Sequence, residues 1–74
     1  MLSAEHINEL LKLDDDALLN QAEAAAVVGL KPSSLHWYRQ MAHERSPRFC
    51  RVGSRSIRYR MGDLRAYIAA RTEG

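Results

Sequence analysis

The stretch from Asn20 to Pro32, "NQAEAAAVVGLKP", leaves this chain little freedom in how it folds. Asn20 followed three residues later by Glu23 is a capping box, in which each side chain satisfies a backbone N–H that the first helical turn leaves unpaired. The spacing predicts a helix starting at Gln21. Gly29, after the small apolar run "AAAVV", suits the left-handed residue that ends a helix. Pro32 suits the first position of the next helix, where its missing N–H is not needed. Two short helices joined by a tight turn follow, and the alanines let them approach closely.

The second helix is expected to run from Pro32 to about Ala42. Stepping 100° per residue from Leu35 puts Leu35, Tyr38 and Ala42 on one side, as core, and Ser33, His36, Trp37 and Gln40 on the other. Upstream, "SAEHINELLKL" places Ile7, Leu10 and Leu11 at helical spacing behind Ser3 as N-cap, and "DDD" at 14–16 supplies an acidic turn. Downstream, "FCRVGSRSIRYR" alternates with period two around a Gly-Ser-Arg turn, the pattern of a β-hairpin. Cys50, Val52, Ile57 and Tyr59 would face the core, with Arg51, Arg58 and Arg60 outward and Arg55 at the tip. The closing segment has Leu64, Tyr67, Ile68 and Arg71 at helical spacing with Asp63 as N-cap, and is expected to pack behind the hairpin. A chain of 74 residues supports one core. We therefore expect a single domain, divided into an N-terminal helix with its acidic turn (1–16) and the helix-turn-helix, hairpin and closing helix (17–74).

Charge is sorted along the chain. Residues 1–30 carry six carboxylates against Lys12 alone, a net of −5, whereas residues 31–60 carry Lys31 and seven arginines against Glu44 alone, a net of +7. A basic block this one-sided suggests a partner with phosphates. One cysteine excludes an internal disulfide and a cysteine-based zinc cluster, and three scattered histidines suggest no metal site. Nucleophile, base and orienting group do not occur together, so neither an enzyme nor a cofactor or small-molecule ligand is expected. No apolar run is long enough to cross a bilayer, and the N-terminus lacks a signal-peptide layout, so no membrane partner and a cytoplasmic location are expected.

Two helices around a tight turn, followed by a basic hairpin, make a winged helix-turn-helix, mainly α with a small hairpin and here an extra N-terminal helix. "QAEAAAVVGLKPSSL", "RVGSRSIRYR" and "GDLRAYI" together resemble the MerR-like winged-helix family of small phage and integrative-element excisionases and AlpA-type regulators. The resemblance covers roughly residues 18–71. It implies that the second helix reads the major groove of double-stranded DNA and that the hairpin, the wing, lies over backbone or minor groove. The expected DNA contacts are Lys31, Ser33, Ser34, His36, Trp37, Arg39 and Gln40 on the helix, and Arg51, Ser54, Arg55 and Arg58 in the wing. Arg65 and Arg71 are read as ordinary surface residues, weaker candidates for DNA contact than Arg39, Arg51, Arg55 and Arg58.

The sequence departs from the family twice. Where Ser or Thr often caps the second helix, this chain has Lys31, which accepts no capping bond, at a cost of about 0.5–2 kcal/mol. A phosphate contact would give that lysine a purpose. Trp37 stands where a polar or basic residue is usual; it could pack in the DNA groove, meet a neighbouring copy, or be partly buried against Met41 or the N-terminal helix. The resemblance implies a recombination directionality factor that binds repeated sites head to tail, bends attachment-site DNA and directs a tyrosine recombinase towards excision. A transcriptional regulator of the same kind of element, or a protein-interaction module, are the alternatives.

Overall fold

The computed structural model describes residues 3–41 and 43–71. In chain order these form α1 (Ala4–Leu11), β1 (Leu18–Leu19), α2 (Gln21–Val28), α3 (Pro32–Met41), a 3-10 turn (His43–Arg45), β2 (Cys50–Val52), β3 (Ser56–Arg60) and α4 (Met61–Arg71). The fold is mainly helical with a small antiparallel sheet, as expected. Ala42, read as core, lies outside the described residues.

The two short helices are built as their punctuation requires. The Asn20 side chain accepts from the Glu23 backbone N–H at 2.8 Å and Glu23 Oε1 accepts from the Asn20 N–H at 3.0 Å, closing the capping box. At the other end Gly29 adopts φ +77°, the Leu30 N–H reaches Ala25 O at 2.9 Å and the Gly29 N–H reaches Ala26 O at 3.4 Å, the bond pair of a Schellman motif. Leu30 then packs against the core and sets the course of the turn. A Cβ at Gly29 would meet nothing within 4 Å, so its only penalty is the left-handed backbone. Gly29→Ala should therefore cost about 1 kcal/mol and lower the melting temperature by roughly 4–8 °C, measured by circular dichroism.

The core consists of Leu10, Leu19, Ala24, Ala25, Leu35, Tyr59, Met61 and Leu64, contributed by all four helices except for Leu19 and Tyr59 from the sheet. Ser3 caps α1 by accepting from the His6 N–H, but α1 buries only Leu10 fully and leaves Leu11 exposed. Alternation on β3 follows the expected pattern, with Tyr59 buried and Ile57 packed at the core edge. On β2 the expected phase is inverted: Cys50 pairs with Arg58, Arg51 with Ile57 and Val52 with Ser56, so Cys50 and Val52 lie on the face opposite Ile57 and Tyr59, and Arg51 lies on the same face as Ile57. The register of the hairpin sets this, since the turn brings Arg51 and not Cys50 opposite Ile57; β2 is also the edge of the order β1-β3-β2, and residues 51–56 are all exposed.

Three corrections concern the far side of the sheet. The sheet has a third strand, β1, pairing Leu18 with Arg60 and Leu19 with Tyr59. Two residues are too few to carry a period-two signal. Helix α4 begins at Met61 without a loop, so Asp63 lies within its first turn and is not the N-cap. Its first N–H groups are already satisfied, Met61 donating to Ala17 O and Gly62 to Asp15 O, both at 2.9 Å. That approach uses the absence of a side chain at Gly62, where a Cβ would come 3.0 Å from Asp15 Cβ. Lastly, Arg65 and Arg71 do structural work. Arg65 holds the Asp15 carboxylate and the carbonyls of Leu11 and Leu13, and Arg71 donates to Glu44 O with its guanidinium 3.7 Å from the Tyr67 ring centroid.

Candidate nucleic-acid interface

Helix α3 presents two sharply different faces. Leu35 is fully buried and Tyr38 half-buried, while Lys31, Ser33, His36, Trp37 and Gln40 are exposed; Ser34 is half-buried at the margin. The Lys31 carbonyl accepts the first helical bond, from the Leu35 N–H at 3.0 Å, so Lys31 occupies the capping position the sequence assigns to it. Trp37 is 53% exposed, its indole edge-on to Tyr38 with centroids 5.6 Å apart. Met41, one turn further along, is itself 72% exposed. Half of a tryptophan is left facing outward on the same side as His36 and Gln40.

Arg39 does not belong to this surface, contrary to the sequence reading. It retains only 9% exposure, since it lies four residues after Leu35 and so shares the buried stripe of the helix. Its Nη1 donates to Gln21 Oε1 at 2.9 Å and to the Tyr59 hydroxyl at 3.0 Å, and its Nη2 lies 3.0 Å from His36 Nδ1. The guanidinium carbon sits 5.9 Å from the Phe49 ring centroid. None of these partners is a carboxylate. A buried cation is stable only when its donors are met, and here α2, α3 and β3 each supply one acceptor. Arg39 thus joins the two helices to the hairpin and leaves its charge uncancelled beneath the surface.

Two open grooves flank the hairpin above this arginine. The first, between α3 and the hairpin, has Gln40, Arg51 and Arg55 on its walls and Arg39, Phe49 and Ile57 beneath. The second, between the start of α2 and the hairpin, has Asn20, Gln21 and Ala22 on one wall and Arg55, Ser56 and Arg58 on the other. Neither is lined by a carboxylate. Arg55, at the exposed tip behind Gly53 and Ser54, serves both. Arg58 is half-buried, with Nη1 donating to Ile57 O at 2.8 Å. By contrast, a hollow between residues 46–48 and α4 carries Asp63 beside Arg48 and has no net sign.

Not every arginine of the basic block is free to act here. Arg60 Nη2 bonds Asp16 at 2.7 Å, and Arg65, which follows the block, is paired with Asp15. The acidic turn therefore neutralises cations of its own chain on the side of β1 and α4. These pairs are exposed, with 88% of the Asp16 side chain accessible, and each is worth little in water. Their effect is to sort the surface, leaving Arg51, Arg55 and Arg58 around the grooves. Gln21, which also donates to Pro32 O at 3.2 Å, is a site residue the sequence reading missed; an uncharged side chain opening a helix carries no signal of such a bridge.

Among the described residues no group of three or more His, Cys, Asp and Glu is arranged to hold a metal ion. No described helix is long and apolar enough to cross a membrane. Comparison with the models of protein families gives no match, and comparison with curated proteins gives none.

Proposed function

We propose that this chain is a winged helix-turn-helix that binds double-stranded DNA in a sequence-specific manner. The observation that carries the reading is the pair of carboxylate-free grooves where Gln40 of α3 and Arg51, Arg55 and Arg58 of the hairpin converge. A ten-residue helix is about 15 Å long and suits a major groove about 12 Å wide. In this reading Ser33, His36, Trp37 and Gln40 meet base edges and sugars. Lys31 and the hairpin arginines, with Ser54, grip phosphates on either side. Arg39 contributes field from below without touching the DNA.

One such module reads only a few base pairs, so useful specificity calls for several copies side by side or for a bent site. This favours a recombination directionality factor, acting in the bacterial cytoplasm, that assembles on attachment-site repeats and turns a tyrosine recombinase towards excision. Asp15 and Asp16 pair within their own chain, so copy-to-copy contact would rest more on Trp37 than on the acidic turn.

The decisive experiment is a mobility-shift titration on duplex DNA over a range of salt. Binding should weaken steeply as salt rises, and absence of any shift at low salt ends the DNA reading. Excised circles that vanish on deletion of the gene, with nearby transcription unchanged, would establish the directionality role; unchanged excision with altered transcription would make the protein a regulator instead. Trp37→Ala separates two roles of the indole. Equal loss on one repeat and on an array indicates groove contact, and loss confined to the array indicates an interface between copies.

A further inference from the structure

We infer that Arg39 is a positioning residue that holds His36 as the tautomer protonated on Nε2, leaving that N–H as the exposed donor of the α3 surface. The inference rests on the reading of this surface as a DNA interface for what the donor meets, but its chemistry stands on the geometry alone. A guanidinium has only N–H donors to offer. With Arg39 Nη2 3.0 Å from His36 Nδ1, that nitrogen accepts, and a neutral imidazole that accepts at Nδ1 carries its proton on Nε2.

Arg39 can impose this choice because it is itself immobilised. Gln21 at the start of α2 and Tyr59 on β3 fix its Nη1, and the Phe49 ring lies alongside. The orientation of an exposed reading residue is thereby tied to the relative placement of both helices and the hairpin. A fixed Nε2–H suits an acceptor in the major groove, such as a purine N7, guanine O6 or thymine O4, and is rejected by the amino groups of cytosine and adenine. His36 with an Arg39 beneath it is therefore a specificity determinant and not merely another polar group on the helix.

Nitrogen-15 long-range correlation spectra of the free full-length protein, at alkaline pH where imidazoles are neutral, test the assignment directly. His36 should show a bare Nδ1 and a protonated Nε2 in one tautomer, and Arg39→Met should give a mixture. A wild-type ring protonated on Nδ1, or the same tautomer population in Arg39→Met, overturns the proposal. Arg39→Met also deprives Tyr59 and Gln21 of a donor, so binding is measured as a cycle with His36→Gln, whose amide nitrogen replaces Nε2 and has no tautomer to fix. Arg39→Met should reduce the preference for a selected site over random duplex about tenfold beside His36 and less than about twofold beside Gln at that position. Equal losses in the two backgrounds would mean that Arg39 only supports the fold. If no duplex is bound at all, the DNA reading falls and the nitrogen spectra alone decide the role of Arg39.

Discussion

Replacing Tyr59 by alanine is expected to leave the chain largely unfolded at room temperature. Tyr59 is the largest of the fully buried side chains, and its strand is the central one of the sheet. Its ring packs 6.3 Å from that of Phe49, and its hydroxyl accepts from Arg39. Truncating a buried aromatic costs about 3–5 kcal/mol, and leaving a buried guanidinium short of an acceptor adds about 1–3 kcal/mol. A domain of this length has about 4–11 kcal/mol of stability in total. Tyr59→Phe keeps the packing and loses only the acceptor, so it should remain folded with a deficit of about 1–2 kcal/mol. Urea denaturation followed by far-ultraviolet circular dichroism checks both, and a Tyr59→Ala protein as stable as Tyr59→Phe would contradict this account of the core.

The second large effect belongs to the hairpin. Simultaneous replacement of Arg51, Arg55 and Arg58 by alanine should lower duplex affinity about 100-fold near physiological salt and reduce the slope of log affinity against log salt by roughly 2–3. The fold should survive, because Arg51 and Arg55 are exposed and Arg58 bonds only its own strand neighbour. Arg60→Ala is the informative control. It sits in the same alternating run, yet it is paired with Asp16 on the side of β1, and its loss should change binding little. If Arg60 matters as much as Arg55, the grooves flanking the hairpin are not where phosphates bind.

What could be read from the residues alone was whatever is decided locally. Asn20, Glu23, Gly29 and Pro32 act within one or two turns of themselves, and the elements they delimit occur where their chemistry puts them. The outward face of α3 was also legible, because a helical projection needs only spacing. Arg39 was misread for the opposite reason: a positive residue suggests solvent, and only the step of four from Leu35 hinted otherwise. Strand β1, the start of α4 and the grip of Arg65 all depend on segments far apart in the chain, such as Asp15 and Gly62 or Leu19 and Tyr59. No local pattern encodes those meetings. The second groove shares this property, since Asn20, Gln21 and Ala22 face Arg55, Ser56 and Arg58 across it.

The pairing of β1 with β3 has a consequence for anyone who would move this module into another protein. Strand partners about 40 residues apart must find each other before the hairpin has a flat surface to lie on, so closing that long loop should limit how fast the chain folds. It also means that residues 3–16 are no detachable appendage, because Leu10 fills the core and the carbonyl of Asp15 caps the last helix. A graft cut at residue 17 would carry the basic grooves but not the scaffold that keeps them apart.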